Sequence, residues 1–297
     1  MKKKYFTGIV GLLAMLLLIL DSQTVLRGAQ DGVMLCLQTV IPSLFPFFFI
    51  SGMVNRTLLG YSGKALSPIG RVCGIPSGAD SLIILGLTGG YPVGAQAISS
   101  AYENGCITKR DAERMLGFCN NAGPAFVFGM AASIFENKWI PWGLWGILII
   151  SALLTGMILP GKSNIVCRIP QNGKNKPLEQ ALKAISIVCG WVILFRVLIF
   201  FLNRWFLWLL PANWAAVLSG LLELTNGCIA LHNSFTPAFQ FVALAGLLSF
   251  GGFCVGLQTV SVAGKLSCKT YFFGKLLQTV ISIVLSIIFC IVAFPGK

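Results

Sequence analysis

The sequence predicts an all-α polytopic membrane protein, and both its composition and the spacing of its apolar segments support that prediction. Of its 297 residues, 56% are hydrophobic and 10% are charged, and the mean hydropathy is +0.83. About 25% of the residues are charged in ordinary globular proteins, so this chain has too few charges to cover a soluble surface. The composition excludes a soluble enzyme, a disordered chain and a coiled coil, and it makes the lipid bilayer the expected solvent.

The chain contains nine apolar segments of a length that suits a membrane, since about 20 apolar residues cross the hydrocarbon core as a helix. They lie at about 5–25, 32–55, 81–102, 115–135, 139–160, 184–202, 205–231, 235–264 and 276–294. Two of them, 81–102 and 235–264, carry a Gly-Gly pair near the middle, and we expect these two either to span the membrane or to re-enter it. The prediction is therefore about seven to nine hydrophobic segments.

The basic residues of the chain lie mainly in the short loops between these segments. They give a net charge of +13, from 22 Lys and Arg against 9 Asp and Glu. Seven spans and two re-entrant segments place every basic cluster on one side, which the positive-inside rule assigns to the cytoplasm. The N-terminus is then cytoplasmic as well. The charge therefore predicts orientation in a lipid bilayer, and no nucleic acid partner is expected.

The cysteine and histidine content predicts neither a cofactor nor an enzyme. The ten cysteines form no Cys-x-x-Cys pair, and His232 is the single histidine. The spacings that zinc, haem or an iron–sulfur cluster would need are missing, so no metal and no other cofactor is expected. An intramembrane enzyme is not expected either, because neither a Ser–His pair nor paired acids stand out.

A polar, basic and turn-rich stretch at 161–181 divides the chain. We interpret it as a cytoplasmic linker between two membrane halves, at 32–160 and 182–297. An N-terminal membrane segment at 1–31 precedes the first half.

Each half contains one copy of an internal repeat. Residues 89–99 and 251–261 are identical at six of eleven positions, at an offset of 162. Coincidence in a glycine-rich apolar protein is one explanation. A duplicated half, as in secondary transporters, is the other, because glycine-interrupted helices at corresponding positions indicate a substrate site there.

The glycines of the two repeats are candidate site residues. Gly89 and Gly90 in the first copy, and Gly251 and Gly252 in the second, interrupt their helices and free backbone N–H and C=O groups. Such groups are tolerated within a membrane only where they line a protein cavity.

Two adjacent amides mark a further interruption. Asn120 and Asn121 precede Gly123 and Pro124, and proline removes a helical hydrogen bond. The two amides can either hold a polar ligand or cap the broken helix and bond neighbouring helices.

Glu223 is an ionisable residue inside an apolar segment, with Asn226 one helical turn further on. A buried carboxylate of this kind predicts a proton or sodium relay or a contact to substrate. The alternative is a buried pair with Arg196 that serves assembly only.

Five motifs resemble those of the YlbJ-type sporulation integral membrane proteins of spore-forming Firmicutes, which are similar to the wider Gate, or nucleoside-recognition, membrane family. The motifs are Pro42-Ser-Leu-Phe-Pro46, Gly89-Gly-Tyr-Pro-Val-Gly-Ala95, Cys119-Asn-Asn-Ala-Gly-Pro-Ala-Phe126, Leu222-Glu-Leu-Thr-Asn-Gly227 and Gly251-Gly-Phe-Cys-Val-Gly256. The resemblance covers about 40–260. It implies a bacterial plasma-membrane protein that is needed in spore formation, for the cortex or for heat resistance.

We therefore expect a sporulation membrane protein that acts as a transporter or channel for a small polar solute, such as a nucleoside or an anion. The nucleoside label comes from the resemblance alone, since no purine- or ribose-binding motif stands out. H⁺ or Na⁺ is the expected coupling ion. The alternative is a non-transporting assembly protein that recruits sporulation membrane partners, and association as a homo-oligomer is compatible with either function.

Overall fold

The structure is a computed structural model that describes residues 2–60, 67–161, 163, 166–167, 176–231 and 235–293. Within these ranges the chain is helical, with one isolated β-bridge between Ser77 and Val166 and no β-strand. The predicted all-α class is confirmed. His232 and most of the 161–181 linker lie outside the described residues.

The described residues of the N-terminal segment and the first predicted half form nine α-helices. They are α1 (Lys2–Leu20), α2 (Ser22–Leu35), α3 (Ile41–Leu58), α4 (Ser67–Cys73), α5 (Asp80–Thr88), α6 (Val93–Glu103), α7 (Lys109–Leu116), α8 (Pro124–Ile134) and α9 (Ile140–Ile158). A π-helical turn, Cys36–Val40, joins α2 to α3 without a break.

Six further α-helices follow among the described residues from 176 onward. They are α10 (Pro177–Trp205), α11 (Ala212–Leu222), α12 (Leu224–Leu231), α13 (Pro237–Phe250), α14 (Gly252–Ala263) and α15 (Lys269–Ala293). Gly251, in the left-handed conformation, separates α13 from α14.

Five helical stretches of the described chain are long and apolar enough to cross a membrane. They are Ser22–Val54, Ile140–Ile158, Pro177–Trp205, Pro237–Ala263 and Lys269–Val292. The membrane class of the chain is thereby supported. The finer prediction of seven to nine segments stays a prediction, because segments such as 115–135 are divided into shorter helices.

Close contact between α2 and α10 shows how small residues organise the bundle. A Cβ atom added at Gly28 would lie 2.8 Å from the Cα atom of Val197, and one added at Gly32 would lie 2.9 Å from the Cα atom of Ile193. Glycines four residues apart let helix backbones approach in a membrane, where packing rather than the hydrophobic effect joins helices.

Three buried clusters hold the molecule together, and each combines residues from both predicted halves. The first cluster includes Leu116 and Tyr271, the second includes Leu144 and Leu244, and the third includes Phe48 and Val188. Helices α6 and α14, which begin at the two Gly-Gly pairs, pack against each other. The two halves are thus interleaved in the fold, while their boundaries stay a prediction.

Arg114, which the sequence placed in a cytoplasmic basic loop, is buried in α7. Its guanidinium donates to the carbonyls of Cys73 at 2.6 Å and Gly74 at 3.0 Å, at the end of α4. It also donates to Gly156 at 2.5 Å and Leu159 at 3.3 Å, at the end of α9. Burial lowers the pKa of Arg114 from its ordinary value. Arg114 therefore donates to terminal carbonyls of two helices, a position where intrahelical donors run out. The carbonyl of Gly74 also accepts the backbone N–H of Ser163 at 2.9 Å.

Candidate functional site

The two Gly-Gly breaks meet in space through one tyrosine. Gly90, with φ of +81°, turns the chain between α5 and α6, and the next residue, Tyr91, reaches the other half. The Tyr91 hydroxyl donates to the carbonyl of Leu248 at 2.7 Å. A Cβ atom added at Gly251 would lie 3.1 Å from Cζ of Tyr91. The repeated motifs, 162 residues apart, thus form one region of the structure.

The second glycine of each pair lies against another helix interruption. A Cβ atom added at Gly90 would be 3.2 Å from the backbone nitrogen of Gly123, which precedes α8. A Cβ atom added at Gly252 would be 3.1 Å from the carbonyl oxygen of Gly220, near the end of α11. Glycine is needed at both places because two backbones approach closely there.

Asn120 joins the two repeats directly. Its side chain is fully buried. The Asn120 amide donates to Oγ1 of Thr259 in α14 at 2.9 Å, and its oxygen accepts the backbone N–H of Ala95 in α6 at 3.3 Å. The sequence left two alternatives for the two amides, a polar ligand site or bonds that cap and join broken helices. The bonds of Asn120 match the second alternative.

Asn121 is the centre of a buried polar cluster that includes a lysine. The Asn121 oxygen accepts from Nζ of Lys275 at 3.0 Å and from Nε2 of Gln278 at 2.9 Å. Lys275 also donates to Oε1 of Gln278 at 2.8 Å, and its Nζ lies 5.1 Å from the ring centroid of Tyr91. Lys275 is 1% exposed, and none of the ion pairs among the described residues includes it.

Sequence reasoning missed Lys275 and Gln278 because Lys275 was assigned to a cytoplasmic basic loop. The signal was present in their spacing. Residues three apart share a face of a helix, and these two polar residues lie early in an otherwise apolar run that becomes α15.

Replacement of Lys275 by methionine is expected to leave the unfolding temperature of the detergent-purified protein unchanged or to raise it. Methionine fills a similar space and removes a buried charge that has no carboxylate partner among the described residues, and such replacements are often neutral or stabilising. Asn121 keeps its bond from Gln278. Lys269→Met, at the exposed start of the same helix, is the control. A large loss of stability in Lys275→Met alone would contradict this expectation.

Glu223 occupies the break between α11 and α12 and is 5% exposed. Its two carboxylate oxygens accept the backbone N–H groups of Thr225 at 3.0 Å and Asn226 at 2.9 Å. The carboxylate therefore caps the N-terminus of α12, where a negative charge is favoured.

The alternative pair between Glu223 and Arg196 is not formed in the described structure. Nε of Arg196 donates to Oδ2 of Asp31 in α2 at 2.6 Å, and Nη1 of Arg196 donates to the side-chain oxygen of Asn226. The positive charge of Arg196 is therefore balanced by Asp31. Asn226 links this ion pair to the helix that Glu223 caps.

A cavity of about 280 Å³ lies where these helix interruptions meet. Its wall combines the π-helical turn with the start of α3, the first Gly-Gly break, the start of α8, one side of α10, the break at Glu223 and α14. Most of the lining side chains are apolar. Polar side chains enter from several elements, at Thr39, Ser43, Thr88, Glu223, Thr225 and Gln258.

The predicted site residues divide into two groups around this cavity. Gly89, Gly90 and Glu223 line it. The others are not among the lining residues and make the contacts described above: Asn120, Asn121, Asn226, Gly251 and Gly252. Gln258 is a lining residue that the sequence interpretation missed, although it belongs to the second repeat.

The fold and this cavity define an all-helical integral membrane protein with its candidate site at a junction of broken helices. Sequence comparison then shows a known protein that the chain resembles. The chain is 24% identical to the sporulation integral membrane protein YlbJ of Bacillus subtilis (strain 168), over an alignment of 313 positions, gaps included, that covers 87% of this chain and 76% of that protein. The resemblance to YlbJ-type membrane proteins is therefore confirmed. No family model matches the chain, and no solved structure matches it.

Proposed function

We propose that this protein acts in sporulation, at the bacterial plasma membrane, as a transporter or channel for a small polar solute that passes through the cavity beside Glu223. The observation that carries the proposal is the convergence of helix interruptions from both halves on one cavity. Helix interruptions at membrane depth are costly unless they line such a site. The link to sporulation rests on the similarity to YlbJ.

The proposal includes the finer topology that the sequence predicts. In it, the two Gly-Gly segments are corresponding parts of a two-fold repeat, and they re-enter or cross the membrane together with the other segments. The contact between Tyr91 and Leu248 supports this pairing, since it joins one segment to the other at the break. A small solute fits the size of the cavity, because pockets for larger, drug-sized ligands start near 300 Å³.

Obstruction of the cavity tests the proposal. Gly129 in α8 lines the cavity, and a Cβ atom added there would have no neighbour within 4 Å. Gly129→Phe therefore fills part of the cavity without a clash in the helix packing. Gly190→Phe in α10 is the matched control, because Gly190 is also an exposed helical glycine with open space around it, outside the cavity.

Both variants would be expressed in a Bacillus subtilis strain that lacks YlbJ, and heat-resistant spores would be counted. We expect the unchanged chain and Gly190→Phe to restore heat resistance, and Gly129→Phe to leave the count near that of the strain without the protein. Membrane abundance and unfolding temperature must be equal for the two variants. Full restoration by Gly129→Phe would favour the non-transporting assembly function instead.

A further inference from the structure

We infer that the solute of this cavity is an organic cation with a primary ammonium group and a small aromatic or apolar body, rather than an anion. This inference rests on the proposed function and narrows it to a class of substrate. It follows from the charges, the free acceptor positions and the apolar surface that the cavity presents.

The cavity is lined by an acidic side chain and, among the described residues, by no basic one. Of those residues, Glu223 is the only carboxylic acid, and lysine, arginine and histidine do not occur among them. The nearby guanidinium of Arg196 is neutralised by Asp31. Lys275 contacts the ring of Tyr91 but does not line the cavity. An anion would enter against the charge of Glu223, whereas a cation would gain from it, and the effect is larger in an apolar surrounding than in water.

The Glu223 carboxylate has hydrogen-bonding capacity left for such a ligand. Each of its oxygens accepts one backbone N–H, from Thr225 and Asn226. An ionised carboxylate offers about four acceptor positions, so about two remain. A primary ammonium group supplies both the opposite charge and the N–H donors that these positions take, and charge-assisted bonds of this kind are the stronger ones.

The rest of the wall suits the body of the ligand. Phe47 and Phe126 present aromatic rings, and Met130 and Val255 add apolar surface. Aromatic rings bind cations through their faces and pack against other rings through edges and offsets. The volume of about 280 Å³ accommodates a single small ring with a short side chain.

Three probes with one shared body test the inference: phenethylamine as the cation, 2-phenylethanol as the neutral analogue and phenylacetate as the anion. Thermal unfolding of the purified full-length protein in detergent would be measured against the concentration of each. A ligand of the folded state raises the unfolding temperature. We expect phenethylamine to stabilise the protein at the lowest concentration, and phenylacetate to have no effect.

The same titrations in Glu223→Gln separate charge from shape. Glutamine keeps one oxygen acceptor for the α12 cap and removes the charge. We expect the apparent affinity for phenethylamine to fall about tenfold or more, with the response to 2-phenylethanol unchanged. Glu136→Gln, an exposed substitution outside the cavity, is the control and should retain the affinity. If Glu223→Gln does not fold, the ranking of the three probes by apparent affinity for the unchanged protein still tests whether the site prefers a cation.

Several results would overturn the inference. They are a phenylacetate response equal to that of phenethylamine, full affinity for phenethylamine in Glu223→Gln, and no response to any probe. Stabilisation by 2-phenylethanol without a preference for the cation would reject the cation class and leave a solute site in place. The proposed transport function is decided separately, by Gly129→Phe.

Discussion

Substitution of Gly94 by alanine is expected to destabilise this protein severely. A Cβ atom at Gly94 would overlap the carbonyl oxygen of Cys119 and would lie 2.9 Å from the Cα atom of Gly86. Both neighbours are backbone atoms, so neither can move aside as a flexible side chain does. Overpacking in a rigid core costs about 1–3 kcal/mol and sometimes more, and here we expect the upper end of that range, with a large fall in unfolding temperature and in membrane abundance.

The internal repeat supplies a matched control for this prediction. Gly256 occupies the corresponding position in the second copy, 162 residues later. A Cβ atom there would lie 3.0 Å from Cε1 of Phe272, the far end of a side chain that is 36% exposed, and from no backbone atom at that distance. Gly256→Ala should therefore change stability by less than about 1 kcal/mol, since alanine also favours the helix. Equal effects of the two substitutions would show that the close approach at Gly94 is not the reason for its glycine.

Replacement of Arg114 by alanine is the second change with a large expected effect. It removes the side-chain donors for the carbonyls of Cys73, Gly156 and Leu159, at the ends of α4 and α9, while the carbonyl of Gly74 keeps the N–H of Ser163. Each buried acceptor left without a partner costs about 1–3 kcal/mol. It also removes the contact between the guanidinium and the ring of Phe118, 5.4 Å from its centroid. We expect the free energy of unfolding to fall by at least about 3 kcal/mol. The measurement is the unfolding temperature in detergent, which should fall clearly.

Arg114→Lys should fall between the original protein and Arg114→Ala. Lysine keeps a positive charge, but its compact ammonium group lacks the guanidinium fork of arginine. It therefore cannot donate to both helix ends at once. Arg71→Ala is the control, because Arg71 is exposed and its guanidinium, among the described residues, donates to the nearby Ser67 hydroxyl. Its effect should stay within about 0.5 kcal/mol. If Arg114→Ala is as mild as Arg71→Ala, the buried bonds of Arg114 do not hold the two helix ends.

Glu223 both caps a helix and lines the cavity. Its carboxylate accepts backbone N–H groups at the start of α12, and it faces the cavity through which we propose that a solute passes. The two are compatible because a carboxylate has acceptor positions beyond those that the cap requires. A stability measurement on Glu223→Gln must therefore accompany every binding measurement.

Several features of this protein were determined by its sequence. The few charges and the long apolar runs specify a helical membrane protein, because the bilayer requires every backbone group to be bonded within a segment. The Gly-Gly pairs and the Gly-Pro step at 123–124 mark helix interruptions, and the structure has helices ending and beginning at each of them. These properties are local, so neighbouring residues are sufficient to reveal them.

Only the tertiary structure decided which polar groups meet. Arg114 and Lys275 resemble loop residues in the linear charge pattern, yet both are buried, because helix packing brings carbonyls and amides from distant segments around them. Arg196 pairs with Asp31 rather than with Glu223 for the same reason: α2 lies against α10. The cavity wall joins residues from Leu35 to Gln258. Hydropathy and helix breaks are encoded within about one helical turn, whereas partner choice depends on the long-range packing of helices that no local pattern specifies.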